Sequence, residues 1–156
     1  THLIKSVMDG IDREKSIASM HVCRGNWSKD ESILLEGPYT PLLDLFSDIN
    51  ADLLALEFST PRAGELKSLL ADDRIKNKLI LGLGVLNPRF DEKEDVDLIY
   101  DRAKEALSYI DKENLWLNPD CGFATFSNRP VNEHENIKAK VGSMVEARDR
   151  LRADYE

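Results

Sequence analysis

The sequence predicts an α/β protein with a parallel sheet, because apolar segments of strand length alternate with longer segments of helical spacing. The chain of 156 residues is 42% hydrophobic and 32% charged, which suits one folded domain with its own core. It carries 21 basic and 29 acidic residues, a formal net charge of −8. We therefore expect no nucleic-acid partner, which would need clustered Lys and Arg. We expect no membrane partner either, since no apolar run approaches the roughly 18 residues of a span.

Four segments have the length and the nearly continuous apolar character of parallel strands buried on both faces. These segments are residues 16–23, 52–58, 78–86 and 114–117. The third contains Gly82-Leu83-Gly84, which lacks the third glycine of a dinucleotide-binding loop and indicates close packing of the strand instead. The fourth contains Trp116, which we expect to pack into the core.

Apolar residues at helical spacing predict one helix before the first strand and one after each strand. Thr40 followed by Pro41 predicts the start of the second helix, since a hydroxyl caps free N–H groups and Pro suits the first turn. The positions that define the five helices are Leu3, Ile4, Val7 and Ile11; Leu42, Leu45, Phe46 and Ile49; Leu66, Leu69 and Leu70; Val96, Ile99, Ala103, Leu107 and Ile110; and Ile137, Val141, Met144, Val145 and Leu151.

The resulting order, one helix and then four βα units, is compatible with two architectures. One is a small open sheet with helices on both faces. The other is half of a (β/α)8 barrel, which needs about 250 residues in total. In either architecture, ligands bind at the carboxyl ends of the strands. The long segments 24–39 and 122–133 follow two strands at that end, so we expect them to carry function.

Side chains able to bind a metal occur at the carboxyl ends of three predicted strands. His21 and Cys23 are two residues apart, so they point to the same face of the first strand. Glu57 lies inside an otherwise apolar run near the end of the second strand, where an unpaired carboxylate would be costly. Cys121 follows the fourth strand. Because these ends meet at one edge of the sheet, His21, Cys23, Glu57 and Cys121 predict a zinc site.

This donor set would bind zinc with a formal net charge of −1, since two thiolates and one carboxylate outweigh the two positive charges. Such a metal is a weak Lewis acid toward water and better suited to holding a substrate thiolate, because a coordinated thiol is deprotonated. Simpler roles stay open for each residue: a surface or core histidine, cysteines as small hydrophobes, and a carboxylate paired with an arginine. A structural zinc is less well matched, because the chain has no closely spaced cysteine pair.

The two cysteines, Cys23 and Cys121, are too few for a typical secreted disulfide scaffold. We therefore expect a cytoplasmic protein with reduced thiols. Arg24 and Asn26 lie just past the first two metal-binding candidates, which makes them candidates for substrate binding. A solvated position in the loop is the alternative for both residues.

Four motifs in this order resemble the C-terminal, catalytic region of cobalamin-independent methionine synthase and its shorter, single-barrel relatives. The motifs are His-Val-Cys-Arg-Gly-Asn at 21–26, Leu-Ala-Leu-Glu at 54–57, Gly-Leu-Gly-Val at 82–85 and Leu-Asn-Pro-Asp-Cys-Gly-Phe at 117–123. Lys140, Met144, Val145 and Ala147 also resemble the last helix of that family. The resemblance covers residues 16–152.

The resemblance implies a (β/α)8 barrel, with residues 1–156 as a single region that supplies strands five to eight. It implies zinc bound at His21, Cys23, Glu57 and Cys121, the same set as the strand ends indicate. It also implies methyl transfer to homocysteine, giving methionine. The zinc would bind homocysteine as a thiolate, and Glu57 would loosen from the metal as the sulfur enters.

The chain departs from the folate-dependent members of that family at residues 84–89. Those enzymes have an Asp and a His shortly after the Gly-Val motif, whereas this chain reads Gly-Val-Leu-Asn-Pro-Arg. The methyl donor is therefore either methylfolate or another carrier, such as a corrinoid. A module with structural zinc and no activity of its own is the alternative function.

Half a barrel would leave two sheet edges unpaired. We therefore expect the chain to be a segment of a longer protein, completed by the N-terminal half of the barrel, or to pair with a dimer mate. The substrate-binding residues of that family mostly precede this region, so we expect them on the other half.

Overall fold

The computed structural model describes residues 1–76, 78–124, 126, 128 and 131–156. The observed strands and helices alternate in the predicted order, which confirms an α/β fold. Their bounds are α1 His2–Asp9, β1 Ser19–Val22, α2 Leu43–Asp48, β2 Leu53–Leu56, α3 Leu66–Leu70, β3 Ile80–Leu86, α4 Val96–Leu107, β4 Leu115–Pro119 and α5 His134–Tyr155.

The four strands form one parallel sheet in the order β1-β2-β3-β4. A doubly wound sheet reverses its strand order at a switch point, which allows helices to cover both faces. Here the order never reverses. With right-handed crossovers, all the connecting helices then lie on one face, as they do around a barrel. The strand order therefore distinguishes the two architectures and favours half of a (β/α)8 barrel.

The two faces of the sheet differ in their side chains. The outer face is apolar, and Leu54, Leu56, Leu81 and Leu83 are buried there in the same core as residues of α4 and α5. The alternate residues of each strand point the other way. His21, Ala55, Gly82 and Trp116 occupy matched positions of the four strands, in one row across this inner face. This row thus consists of polar and small side chains together with Trp116.

Two local expectations from the sequence are wrong. Trp116 is 47% exposed, because it lies on the inner face of β4, which is an edge strand of the sheet. Thr40 does not cap α2. A short 3₁₀ turn, Thr40–Leu42, precedes that helix, and Pro41 lies within the turn. Proline is tolerated in the first turn of a 3₁₀-helix as well as of an α-helix. In both, the backbone N–H that proline lacks would have no partner within the helix.

The glycines of β3 allow the close packing that the sequence indicates. A Cβ at Gly82 would lie 2.6 Å from Asn118 Oδ1 and 3.1 Å from Ala55 Cα. A Cβ at Gly84 would overlap Asp120 Oδ1 and lie 2.6 Å from the Leu56 carbonyl oxygen. The missing side chains therefore make room for polar groups that β4 and its following residues place on the inner face.

The described part of the chain contains no helix that combines the length and the apolar character needed to cross a membrane.

We predict that Gly84→Ala lowers the free energy of unfolding by about 2 kcal/mol, because the added methyl group meets a strand carbonyl and a buried carboxylate. Gly142→Ala is the matched control, since a Cβ there meets nothing within 4 Å and the residue lies inside α5. That variant should gain about 1 kcal/mol from helix propensity. Urea denaturation of both variants measures the difference, and equal stability for the two would contradict the packing described here.

Candidate metal centre

The four predicted metal-binding residues lie at the carboxyl end of the sheet. His21 belongs to β1 and Cys23 directly follows it. Glu57 is the first residue after β2, and Cys121 is the second residue after β4. Parallel strands end on the same side, so their first loop residues converge there. The structure thus brings the whole predicted set to one place.

The donor atoms of this set are in contact around the Cys121 sulfur. Cys121 Sγ lies 3.3 Å from His21 Nε2, 3.2 Å from Cys23 Sγ and 3.0 Å from Glu57 Oε1. The ligand atoms of His21, Cys23 and Cys121 all lie within 4.8 Å of one another. Donors around a tetrahedral zinc are separated by roughly 3.4–3.8 Å, given its usual bond lengths. A small outward movement of these side chains would accommodate that ion.

Backbone groups orient three of the four donors. His21 Nδ1 lies 2.9 Å from the Ala55 carbonyl oxygen. This contact favours the tautomer with the proton on Nδ1 and directs a lone pair on Nε2 toward the cysteines. The N–H of Arg24 donates to Glu57 Oε2 at 3.2 Å, and the N–H of Gly25 donates to Cys23 Sγ at 3.2 Å. The loop after β1 therefore turns its N–H groups toward the anionic donors.

Burial raises the pKa of the Cys121 thiol above its usual value, and hydrogen bonds to Glu57 and Cys23 raise it further. The thiol is half-buried and lies beside groups that become anionic, so its ionised form is disfavoured. A divalent cation reverses this effect, because it stabilises the thiolate form outright. Two thiols, an imidazole and a carboxylate are the donors that zinc prefers, so the residues present fit zinc.

Asp120 is a fully buried member of the site that the sequence analysis missed. Its carboxylate accepts hydrogen bonds from the N–H of Phe58 at 3.1 Å, the N–H of Ser59 at 3.0 Å and the Ser59 hydroxyl at 2.5 Å. Burial raises its pKa to about 6, opposed by the Ser59 hydrogen bonds and assisted by the charge of Glu57. The signal in the sequence was Gly84, whose missing side chain leaves the space that Asp120 occupies.

Tyr39 is the second residue that the sequence analysis missed. Its hydroxyl accepts from the N–H of Glu57 at 2.9 Å and donates to the Glu57 carbonyl oxygen at 3.3 Å. Its ring packs on Phe58, with ring centroids 5.3 Å apart. Burial raises the pKa of Tyr39 to about 12, so the hydroxyl keeps its proton at neutral pH. Tyr39 thus fixes the backbone from which the Glu57 side chain extends.

The two predicted substrate-binding residues lie beside the centre and contact the protein itself. Arg24 is only 7% exposed, so a solvated position is wrong for it. Its guanidinium lies 3.8 Å from the centroid of the Tyr39 ring and donates to the Gly37 carbonyl oxygen at 2.6 Å. Asn26 Nδ2 donates to the Gly122 carbonyl oxygen at 2.6 Å, which links the loops after β1 and β4. Substrate binding by either residue stays a prediction.

The sequential βα units and a cluster of polar donors at the strand ends indicate the class of protein, part of a (β/α)8 barrel with a candidate site at the carboxyl ends of its strands. Residues 13–150 match the family model described as cobalamin-independent synthase, catalytic domain, and the chain belongs to this family.

Three related proteins align with most of this chain. The uncharacterized protein YxjG of Bacillus subtilis (strain 168) is 34% identical over 145 residues, which are 91% of this chain and 37% of that protein. A methionine synthase of Thermoplasma acidophilum is 32% identical over 165 residues, 95% of this chain and 42% of that protein. A 5-methyltetrahydropteroyltriglutamate–homocysteine methyltransferase of Listeria innocua is 30% identical over 118 residues, 76% of this chain and 14% of that protein.

A solved structure shares the fold. The B12-independent methionine synthase from Shewanella sp. W3-18-1, in complex with selenomethionine, superposes with a TM-score of 0.74 at 18% identity. The match covers 96% of this chain and 42% of that one. The chain therefore spans less than half the length of these relatives, and the barrel assignment is confirmed for the part that it covers.

We predict that Tyr39→Phe lowers the free energy of unfolding by about 1–3 kcal/mol, because it removes the hydroxyl that accepts from the buried Glu57 N–H. Tyr109→Phe is the control, since Tyr109 follows α4 and lies outside the contacts around Glu57. Chemical denaturation measures both variants. A loss for Tyr109→Phe as large as that for Tyr39→Phe would show that the Tyr39 hydroxyl has no special role.

Proposed function

We propose that this chain is the zinc-binding, C-terminal half of a barrel that transfers a methyl group to a small thiol, most simply to homocysteine to give methionine. The observation that carries the proposal is the contact of His21, Cys23, Glu57 and Cys121 at the strand ends. The family supports the reaction type, and the Thermoplasma relative bears the name methionine synthase. The Listeria relative is named for transfer to homocysteine.

Four donors of this chain would hold the zinc: His21 Nε2, the sulfurs of Cys23 and Cys121, and the Glu57 carboxylate. Zinc bound there would supply the positive charge that lowers the pKa of a thiol substrate and keeps it nucleophilic at neutral pH. A free thiol with a pKa of about 8.5 is only a few per cent ionised at pH 7, so this is the main chemical demand of the reaction.

The protein's own residues supply orientation. The Ala55 carbonyl directs His21, and the N–H groups of Arg24 and Gly25 direct the Glu57 carboxylate and the Cys23 sulfur. Cys23 and His21 are exposed, whereas Glu57 is buried. A thiol substrate would therefore approach from the side of His21 and Cys23, with Glu57 behind the site. Positioning of reactants in this way accounts for a large share of many enzymatic rate enhancements.

The missing part of the site would come from the N-terminal half of the barrel or from a dimer mate. The exposed Trp116 and His21 lie on the inner face of the sheet, which a second half would cover. The Shewanella structure, of which this chain covers 42%, is long enough to contain both halves. In this proposal the second half contributes contacts to the amino-acid part of the substrate and to the methyl donor, and it excludes water.

The methyl donor is either methylfolate or another carrier, and one structural observation favours the second. Residues 84–89 end in Arg89, which is fully buried and whose Nε donates to Glu31 Oε1 at 2.8 Å. Its guanidinium is engaged with Glu31 inside the protein, so it does not take the place of the histidine that the folate-dependent members have in this segment. A corrinoid or another carrier that leaves without needing a proton at this position is therefore the second candidate donor.

A module with purely structural zinc is the competing function. Such a site would have four fixed ligands and no room for a fifth group. Cobalt(II) substitution distinguishes the two, because its visible spectrum responds to a change of ligand. In the proposed enzyme, added homocysteine shifts the thiolate-to-metal absorption at one equivalent; an unchanged spectrum would identify the structural alternative.

We place the reaction in the cytoplasm. The sulfurs of Cys23 and Cys121 lie 3.2 Å apart, and both must stay reduced to act as metal ligands. Reducing compartments maintain free thiols, whereas oxidising ones favour their pairing.

We predict that the purified protein contains about one zinc per chain and that Cys121→Ser and His21→Ala each remove most of it. The first change removes the sulfur that contacts the other three donors, and the second removes a donor 3.3 Å from that sulfur. His134→Ala is the control, because His134 is an exposed residue at the start of α5. Plasma emission spectroscopy measures the metal. Full zinc content in Cys121→Ser would mean that the ligand assignment is wrong.

We also predict that the 156-residue chain alone binds zinc yet has little methyltransferase activity. The reason is that the second half of the barrel, which would cover the inner face and contact the substrates, is needed as well. Adding the N-terminal half of a related barrel in trans should raise the activity at least tenfold. The assay follows methionine formation from homocysteine with each candidate donor. Efficient turnover by the monomeric chain would contradict the need for a second half.

A further inference from the structure

We propose that Asp120 is a positioning residue that holds the Glu57 carboxylate against Cys121. The inference rests on the proposed zinc site and deepens it. Asp120 directly precedes Cys121 in the chain, and its carboxylate accepts its hydrogen bonds from Phe58 and Ser59, which directly follow Glu57. One side chain thereby ties together the backbone segments of two metal-binding residues that are 64 positions apart.

The geometry leaves the Glu57 backbone little freedom on either side. Tyr39 holds the N–H and the carbonyl oxygen of Glu57 itself, and Asp120 holds the two N–H groups that follow. Glu57 is 2% exposed and Asp120 is fully buried, so water does not compete for these contacts. The loop after β2 is therefore fixed by the residue that follows β4, and the Glu57 side chain extends toward Cys121 Sγ and the Arg24 N–H.

A carboxylate is better suited to this position than its amide. All three groups facing Asp120 from the β2 loop donate hydrogen bonds, and a carboxylate is an acceptor at both oxygens. An asparagine would turn one NH2 group toward these donors or toward Arg89, whose Nη2 lies 3.8 Å from Asp120 Oδ2. Asp120→Asn therefore keeps the shape of the side chain while loosening the β2 loop.

The space for this contact is built into the neighbouring strand. A Cβ at Gly84 would overlap Asp120 Oδ1, so β3 leaves this room only because residue 84 is glycine. If Asp120 only filled this space, it would be an unfavourable residue for the position. Burying a carboxylate costs free energy of desolvation, whereas an apolar side chain would fill the same space without that cost. The energetic cost of burying Asp120 is consistent with a functional requirement at this position.

The test is a double-mutant cycle with Glu57, read by zinc affinity in competition with a chromophoric chelator. These measurements use the full chain as the cell produces it. Asp120→Asn is expected to raise the zinc dissociation constant by about 10–100-fold, the usual effect of losing a group that orients a metal ligand. In a Glu57→Gln background the same change should have less than a twofold effect, because the ligand that Asp120 positions is already impaired.

Zinc-edge X-ray absorption supplies a readout that general destabilisation does not change. Asp120→Asn should lose the oxygen donor of the zinc shell while the sulfur and nitrogen donors remain. Asp30→Asn is the matched control, since Asp30 likewise accepts from a serine N–H and hydroxyl, those of Ser32, and lies in an exposed loop. That variant should bind zinc as the parent does.

Ser59→Ala keeps the proposal testable if Asp120→Asn does not fold, because it removes only the hydroxyl contact. It should weaken zinc binding by about threefold to tenfold, again only when Glu57 is present. An equal effect of Asp120→Asn in both backgrounds would overturn the positioning role, while the proposed function would stand. A parent protein that binds no zinc would overturn both proposals.

Discussion

The rest of the structure depends on the burial of one carboxylate. Glu57 contacts the Cys121 sulfur at the end of the sheet and is almost inaccessible to water. A buried charge of this kind is unfavourable unless donors or a cation compensate it. The Arg24 N–H supplies one donor, and the nearby guanidinium of Arg24 adds positive charge above the Tyr39 ring. Negative charge that these groups do not compensate helps to raise the pKa of Cys121. A divalent cation among these donors would supply the positive charge that is needed.

The strand order explains how the same sheet combines an apolar core with a polar site. Sequential parallel strands place their helices on one face, so Leu54 and Leu83 are buried under helices while Ala55 and Gly82 face the other way. In a closed barrel that second face becomes the interior. Half a barrel exposes it, which explains why Trp116 is accessible and why the metal-binding candidates of β1 lie at an open surface.

The helices and strands, and the convergence of the four side chains, could be predicted from the sequence because both follow from local patterns. Apolar runs set the strands, and parallel strands bring His21 and Glu57 to one edge whatever the rest of the fold. The groups that hold them could not be found in this way. Tyr39 reaches Glu57 across 18 positions, and Asp120 reaches Ser59 across 61, so neither contact has a periodic signature. Whether the four side chains bind zinc stays a prediction.

The arrangement also constrains which donor can move during a reaction. His21 is directed by a strand carbonyl and Cys23 by an adjacent N–H, so both are held by rigid local backbone. Glu57 is held by loop contacts instead: the Arg24 N–H donates directly to its carboxylate, and Tyr39 and Asp120 fix the backbone at and after Glu57. A ligand whose position depends on loop contacts can be displaced at lower cost than one fixed by its own strand. In the proposed enzyme, Glu57 is therefore the donor that we expect an incoming thiol to displace, and the contacts of Asp120 would return it toward Cys121 afterwards.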